Sequence, residues 1–357
     1  MKQIVSLGNR ISAFVELGKV MGLAADSLIS EKPDFNEKYP LLHSAIQEAS
    51  LYNPWFTSEN IAFALQAWEK TLSEEGIKSW VDEYKLPTQS IEPKRVVVIM
   101  AGNIPLVGFH DFLSVVLSGN IFIGKLSSDD KVLFPAIAEV LLGFEPRLKE
   151  YIHFTESTIK DFDAIIATGS NNSARYFEYY FSKYPHIIRK NRNGVAVLDG
   201  NESDETLRKL GFDICSYFGL GCRNVSKIFI PVGFDQKKLF VAIEPFIKTL
   251  SDHYKYMNNY SYQRSILLLN NTPHLDNGVF ILAESENYAS PIPVLYYQFY
   301  KNTEDLKRKL SDDGGNIQCI ATDIFTNEKT AKIGCTQNPG LADYADGIDT
   351  MDFLAKL

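Results

Sequence analysis

The stretch FGLGCRNVSKIFIP, residues 218–231, sets a cysteine between a pair of glycines and a β-rich apolar run. An ionised thiol there is a covalent nucleophile, able to take an acyl carbon from a good leaving group. A lone cysteine beside a strand is ordinarily a small apolar residue. Three features of this neighbourhood weigh toward chemistry. Gly219 and Gly221 loosen the backbone just before Cys222. The helical pattern of residues 207–217 breaks at Gly219, so the thiol falls at a loop or a helix end, where oriented backbone N–H groups stabilise a thiolate. Arg223 adds an adjacent positive charge. Cys215, Cys319 and Cys335 have no such setting and read as structural.

The second group of candidate residues lies where apolar runs end in small or polar residues. These are AGNIP at 101–105, GKLSS at 124–128 and ATGSNN at 167–172. Such loops let a backbone approach a ligand closely, and in layered α/β folds ligands bind at the carboxyl ends of strands. Metal chemistry finds no support, because no CxxC pair and no Cys/His cluster has zinc-ligand spacing.

The elements that must position these residues follow from periodicity. Residues 1–90 read as helical, opening with an amphipathic helix and including a second that starts at Ser58. LPTQSIEP, residues 86–93, is a turn-rich break. After it come a strand at 96–100, a helix ending at Gly119-Asn120 and the strand IFIGKL. A helix capped by Ser or Asp of SSDD follows, then the strand DAIIATGS and another helix. Past Gly194 the pattern repeats. GVAVLDG, VSKIFIPVG, RSILLLNN, GVFILAES, PVLYYQFY and IQCIATDIF read as strands, and DQKKLFVAIEPFIKTLSDHY as a helix. Strand alternating with helix predicts two doubly wound α/β domains behind a helical N-terminal region. The expected boundaries are 1–90 helical, 91–194 dinucleotide-binding, 195–335 carrying the cysteine, and 336–357 a tail able to contact a second subunit or a partner.

Composition narrows the function. The chain has 357 residues, 45% hydrophobic and 22% charged, with a formal net charge of -8. That balance suits a globular enzyme and disfavours a nucleic-acid partner. No apolar run approaches the roughly 18 residues of a membrane span, and no secretory signal is visible. A cytoplasmic location with reduced thiols is the expectation.

With these residues in view, the chain resembles the aldehyde dehydrogenase superfamily, and within it the LuxC-like acyl-CoA reductases. VVVIMAGNIPLVGFHDFLSVVLSGNIFIGKLSSDD is similar to that superfamily's strand, Asn-aromatic-Pro turn, helix and Lys-Pro-Ser-Glu segment. ATGS is similar to its Phe-Thr-Gly-Ser turn, GLGCRNVSKIFIP to its nucleophile loop with the following Arg-x-Phe-Val, and SPIPVLYYQFYKN to a later Gly-Pro strand. RISAFVELG, NPWFTSENIAFAL and LADYADGIDTMDFL resemble the acyl-CoA reductase branch. The resemblance implies an aldehyde dehydrogenase-like fold with Cys222 as nucleophile and Asn103 as oxyanion donor. It implies a dinucleotide held by Gly102, Ile104, Pro105, Lys125, Ser127, Ser128, Thr168, Gly169 and Ser170. The plainer readings are that Asn103 only forms a turn, Gly169 only ends a strand, and Lys125 with the two serines only caps the next helix.

Three departures from the pattern bear on activity. Acid-releasing members use a glutamate to activate water; its place here falls in HIIRKNRNG, with Ile188 the nearest match and no acid present. That favours a coenzyme A thioester as substrate. Many NAD-preferring members carry glutamate three residues after the lysine, where this chain has Ser128, so NADPH is expected, with NADH possible. Glu286 lies one residue out of register with the glutamate that holds the nicotinamide ribose, and the resemblance assigns it no role. The expected activity is NADPH-dependent reduction of an acyl-CoA, fatty acyl in kind, to an aldehyde. A homo-oligomer and an acyl-transfer protein partner are expected. The alternatives are an aldehyde or semialdehyde dehydrogenase releasing acid, an acyl-phosphate reductase, and a non-catalytic acyl-transfer partner subunit.

Overall fold

Two sheets, one parallel and one parallel but for an edge strand, organise the chain, as the alternation of strands and helices predicts. The computed structural model describes residues 5–30, 33–86, 92–156 and 159–357. The turn-rich break at 86–93 falls largely outside them. The first sheet comprises β1 (Arg95–Ile99), β2 (Ile121–Lys125), β3 (Ile152–Thr155), β4 (Ala164–Thr168) and β5 (His186–Arg189). All its pairings are parallel, in the order β3-β2-β1-β4-β5. Val96, Val97 and Val98 are buried, because helices cover both faces of a parallel sheet. The strand order reverses between β1 and β4, and that switch point is where such sheets open a crevice for a ligand.

The second sheet comprises β6 (Asn193–Val197), β7 (Val225–Pro231), β8 (His274–Asp276), β9 (Ile281–Glu284), β10 (Val294–Tyr300), β11 (Ile317–Ala321) and β12 (Thr330–Ala331). Its order is β12-β11-β6-β7-β10-β9-β8, with β8 antiparallel to β9. By compactness the chain divides into Met1–Lys190 with Gly340–Leu357, and Asn191–Pro339. The chain is mixed α/β, as expected.

The first unit gathers the helical N-terminal segment, the first sheet and the C-terminal residues around one core that includes Phe14, Phe109, Phe112 and Met351. Helix Thr350–Ala355 buries Met351 and Leu354 there. The Arg189 guanidinium at the end of β5 pairs with both Asp111 oxygens at 2.7 and 2.9 Å and donates to Thr350 Oγ1 at 2.7 Å. Among the described residues, no helix is long and apolar enough to cross a membrane.

Several expected elements differ. RSILLLNN is not a strand; it lies in and just beyond helix Tyr254–Leu269, where Leu268 and Leu269 are exposed. A short apolar run carries no period of its own, and here the preceding helical turns, opened by a His253 cap, carry the chain through it. The helix expected over 235–254 is broken into short pieces around Pro245, which lacks the N–H that a continuous helix needs. Thr57, not Ser58, caps helix Ser58–Thr71. The helix after β2 starts only at Leu133, with Val132 at its cap and no side-chain cap bond. The expectation that Ser or Asp of SSDD caps it is therefore corrected: Ser127 and Ser128 lie in a turn upstream of the helix.

Candidate active site

The first unit brings together the three small-residue loops. They leave the carboxyl ends of β2, β1 and β4, which are adjacent strands. The loop after β1 is packed tightly against the loop after β2. A Cβ on Gly102 would sit 2.6 Å from Ser127 Oγ, so only glycine admits this approach. Asn53 Nδ2 donates to the Gly102 carbonyl at 2.9 Å from a buried position. Asn103 and Ile104 are half-buried and Pro105 is buried. Leu106 follows at φ 58°, in the left-handed region that a leucine rarely adopts. Its N–H donates to Asp130 Oδ2 at 3.3 Å. Burial pushes the Asp130 carboxyl up to about 7.

The remaining predicted residues of this unit are partly or fully exposed. Lys125 Nζ donates to the Glu156 carbonyl at 3.1 Å. Ser127 Oγ accepts the Asp129 N–H at 3.3 Å, and Ser128 is exposed. Thr168 ends β4. The Gly169 N–H donates to the Arg189 carbonyl at 3.3 Å, and Ser170 caps helix Asn171–Phe181 by accepting from Ser173 N at 3.1 Å. A Cβ on Gly169 would lie 2.9 Å from Ser173 Cβ, so this turn too requires glycine. At these two loops flanking the switch point a Cβ would meet the chain's own Ser127 and Asp129 at Gly102, and Ser173 and Phe177 at Gly169, so packing within the protein fixes both glycines and holds the loop backbones at the carboxyl edge of the sheet. Ile188 lies on β5, half-buried.

The second unit carries the thiol. Cys222 is exposed and outside any disulfide. It sits at the first central position of the turn Gly221–Asn224, closed by Asn224 N to Gly221 O at 3.0 Å, immediately before β7. Asn224, buried, is the residue that holds this turn. Its Oδ1 accepts the Gly221 N–H at 2.8 Å. Its Nδ2 faces the carbonyls of Asp213, Ile214 and Ser216 at 3.1, 3.3 and 2.9 Å. Upstream, Tyr217, Phe218 and Gly219 are three successive left-handed residues at φ 52°, 58° and 81°. They swing the chain sharply away from helix Asp204–Cys215. The loop placement of the thiol holds. The helix-end alternative is corrected, since the neighbouring helix presents its carboxyl end and no N-terminal amides.

Other groups surround this turn within the same unit. Cys319 Sγ donates to the Arg223 carbonyl at 3.6 Å. Lys227, fully buried on β7, donates to the Glu286 carbonyl at 2.8 Å between the rings of Phe229 and Tyr288, and burial pulls its ammonium down to about 8. Glu286 itself is exposed. A pocket of about 370 Å³, counting its open mouth, is lined by Phe218, Gly219, Leu250, Tyr256, Ile292 and Val294. Cys215 also lines it, and burial pushes that thiol up, so it is inert as a nucleophile. Asn53, Asp130, Asn224 and Lys227 escaped the sequence reading. Only Asn224 carried a signal, as an asparagine two residues past the cysteine at a turn.

The profile of a family described as acyl-CoA reductase (LuxC) matches residues 47–239. No curated protein matches the chain significantly. Among solved structures, an aldehyde dehydrogenase of Mycobacterium tuberculosis complexed with NAD+ is 16% identical, with a TM-score of 0.56 over 82% of this chain and 70% of that one. An aldehyde dehydrogenase of Physcomitrella patens, in complex with the reaction product succinate, is 12% identical with a TM-score of 0.58 over 88% and 77%. One of Pseudomonas aeruginosa is 13% identical with a TM-score of 0.56 over 91% and 78%. At these identities the likeness establishes the fold.

Proposed function

This chain belongs to the acyl-CoA reductase (LuxC) family, and on that premise we propose that it reduces an acyl-CoA thioester, fatty acyl in kind, to an aldehyde through an S-acyl intermediate on Cys222. The carrying observation is an exposed thiol at the corner of a turn that a buried asparagine pins at both ends. In the proposed first step the Cys222 thiolate attacks the thioester carbonyl. The carbon–sulfur bond to coenzyme A breaks, and the departing thiolate takes a proton. The Asn103 carboxamide and the Cys222 backbone N–H are the proposed donors to the oxyanion, each worth about 3 kcal/mol at the transition state. A dinucleotide, when bound, supplies the hydride to the acyl carbon. The Cys222 sulfur then leaves as thiolate and the aldehyde departs.

Gly102, Ile104, Pro105, Lys125, Ser127, Ser128, Thr168, Gly169 and Ser170 are the residues proposed to hold the dinucleotide. Ser128 in place of a carboxylate, with Lys125 nearby in sequence, favours NADPH over NADH, since an acid there would repel a 2′-phosphate. Residues 186–194 contain no Asp or Glu to activate water, which supports coenzyme A exchange over acid release. The test is intact-mass spectrometry after adding acyl-CoA without reductant. The expected result is one acyl group on the peptide bearing Cys222, absent from Cys222→Ser. An unmodified protein, or an adduct on another residue, overturns the reading. Paired KM values for NADPH and NADH decide the cofactor.

A further inference from the structure

Asp130 is a buried carboxyl that the proposed chemistry does not use. It is 6% exposed. One oxygen accepts the Leu106 N–H, and the other, also buried, has no hydrogen-bond partner among the described residues. Asp130 forms no ion pair there either. The charged and titratable groups on its own loop and on neighbouring elements include Asp129 and Lys131, Lys125 at the end of β2, His110 and Asp111 on helix Phe109–Leu117, Glu139 on helix Leu133–Phe144, and His43, Glu48 and Tyr52 on helix Pro40–Tyr52. Lys131 Nζ lies over the Tyr52 ring at 4.3 Å, Lys125 Nζ donates to the Glu156 carbonyl, His110 engages the Leu341 carbonyl, and Asp111 pairs with Arg189. Asp129 is exposed.

What Asp130 touches gives it a role. Leu106 is buried, left-handed and strained by roughly 1–2 kcal/mol, so the loop between β1 and the next helix needs an anchor there. The Asp130 carboxyl supplies it on one side, and Asn53 holds the Gly102 carbonyl on the other. This loop leaves β1 beside the switch point of the sheet, where anionic ligands bind. We propose that Asp130 is a positioning residue for the loop after β1, fixing it through the Leu106 amide while protonated and loosening it when ionised. The Leu106 N–H binds the ionised carboxylate more strongly than the neutral one, but desolvation outweighs that single bond, and hydrating the charge requires the loop to open. It also sets a negative charge beneath a loop meant for phosphates. Loop opening and this added charge both weaken binding of an anion and outweigh the stronger Leu106 bond, and the upward displacement of the titration by burial places the change near neutrality.

The inference rests on the reading that this loop receives the dinucleotide. The experiment measures the dissociation constants of NADPH and of NADH by nucleotide fluorescence at pH 6 and pH 8, for wild type, Asp130→Asn and Asp130→Ala. Acylation of Cys222 by acyl-CoA is followed in parallel. NADH is included because its phosphodiester does not titrate in this range. A coupling of one pKa unit between ligand and carboxyl corresponds to about tenfold in affinity. The expected result is a wild-type affinity about fivefold weaker at pH 8 than at pH 6 for both nucleotides, since both pH values leave a minor form near a titration of about 7. Asp130→Asn, which keeps an acceptor for Leu106 and cannot ionise, holds the pH 6 value throughout. Asp130→Ala binds weakly at both pH values, and all three acylate alike. A pH dependence that persists in Asp130→Asn, or Asp130→Ala binding like wild type, overturns the inference. So does loss of acylation together with binding in Asp130→Ala, which marks a general structural failure. A wild type that acylates Cys222 but binds neither nucleotide refutes the role of this loop and the inference with it, and leaves the thiol chemistry standing.

Discussion

Replacing Asn224 tests whether the thiol turn is held by that one side chain. Asn224→Ala removes the acceptor of the Gly221 N–H and the donor to three carbonyls at the end of helix Asp204–Cys215. An amide has two N–H groups, so these contacts amount to about three hydrogen bonds, one of them shared. At about 1 kcal/mol net for each bond, and up to about 1.5 where the partner left behind is buried, the loss comes to roughly 3–5 kcal/mol. Asn224→Asp is the sharper variant. Its Oδ1 still accepts from Gly221, but the other oxygen now faces three carbonyl oxygens with no proton to give. Burial and those carbonyls raise the folded-state pKa of the new carboxyl above its unfolded value. Stability is therefore retained at low pH, where the protonated oxygen donates to one carbonyl, and is lost as pH rises through the raised pKa. Thermal denaturation at pH 5 and pH 8 reads the difference, with acylation of Cys222 alongside. Asn224→Ala loses about the same at both pH values, and Asn224→Asp loses clearly more at pH 8. Equal losses for Asn224→Asp at the two pH values, or a wild-type melting temperature for Asn224→Ala, would refute the claim that this carboxamide organises the turn.

Three further outcomes follow from the same geometry. Gly194→Ala would place a Cβ 2.5 Å from the Asn224 carbonyl and 2.6 Å from that of Arg223, both backbone atoms. Displacing the turn should lower the Cys222 acylation rate at least tenfold with about 1–3 kcal/mol lost in stability; an unchanged rate would count against a fixed turn. In the Asp130 carboxyl, the folded-state value is raised from 3.8 to about 7, so the folded chain binds this proton more tightly than the unfolded one. Stability then falls as pH rises from about 4 to 7, and Asp130→Asn should gain on wild type across that window by up to the order of 4 kcal/mol, read by urea denaturation at each pH. Asp111→Asn leaves the Arg189 charge buried without its carboxylate, and should cost about 3–5 kcal/mol in the same assay while the NADPH dissociation constant is little changed.

The sheets were legible because buried parallel strands read as continuous apolar runs. RVVVI, IFIGK and AIIAT stand in adjacent positions, and the small residues that follow each run mark the ligand edge. Strands β3 and β5 are four residues each, and half-exposed positions in both dilute the signal. The thiol was legible by type and by its glycines. Its support was not, because Asn224 acts through contacts with residues 8 to 11 positions upstream, where no periodic pattern encodes a hydrogen bond. Asp130 looked like a helix cap in SSDD. The helix instead begins at Leu133, and what captures the carboxyl is the Leu106 amide, 24 residues away.

Each of the two units uses a strained backbone held by buried contacts, polar in one and aromatic in the other. At Leu106 a left-handed leucine is tied by Asp130; before Cys222 two left-handed aromatic residues precede a left-handed glycine. Strain of about 1–3 kcal/mol per residue persists only if its surroundings over-determine it. For Tyr217 and Phe218 the compensation is burial of both rings, at 7% and 5% exposure, with the Phe218 ring centred 4.3 Å from that of His253. Burying each ring returns about 1.5–3 kcal/mol, enough to offset its backbone term. The chain can therefore reverse abruptly after helix Asp204–Cys215, and the following four residues project Cys222 at the surface while remaining tied to Asn224. A flexible glycine-rich ledge would have offered the same exposure with no fixed direction. Gly219 supplies the positive φ that completes the reversal, and the rigidity comes from the aromatic pair behind it.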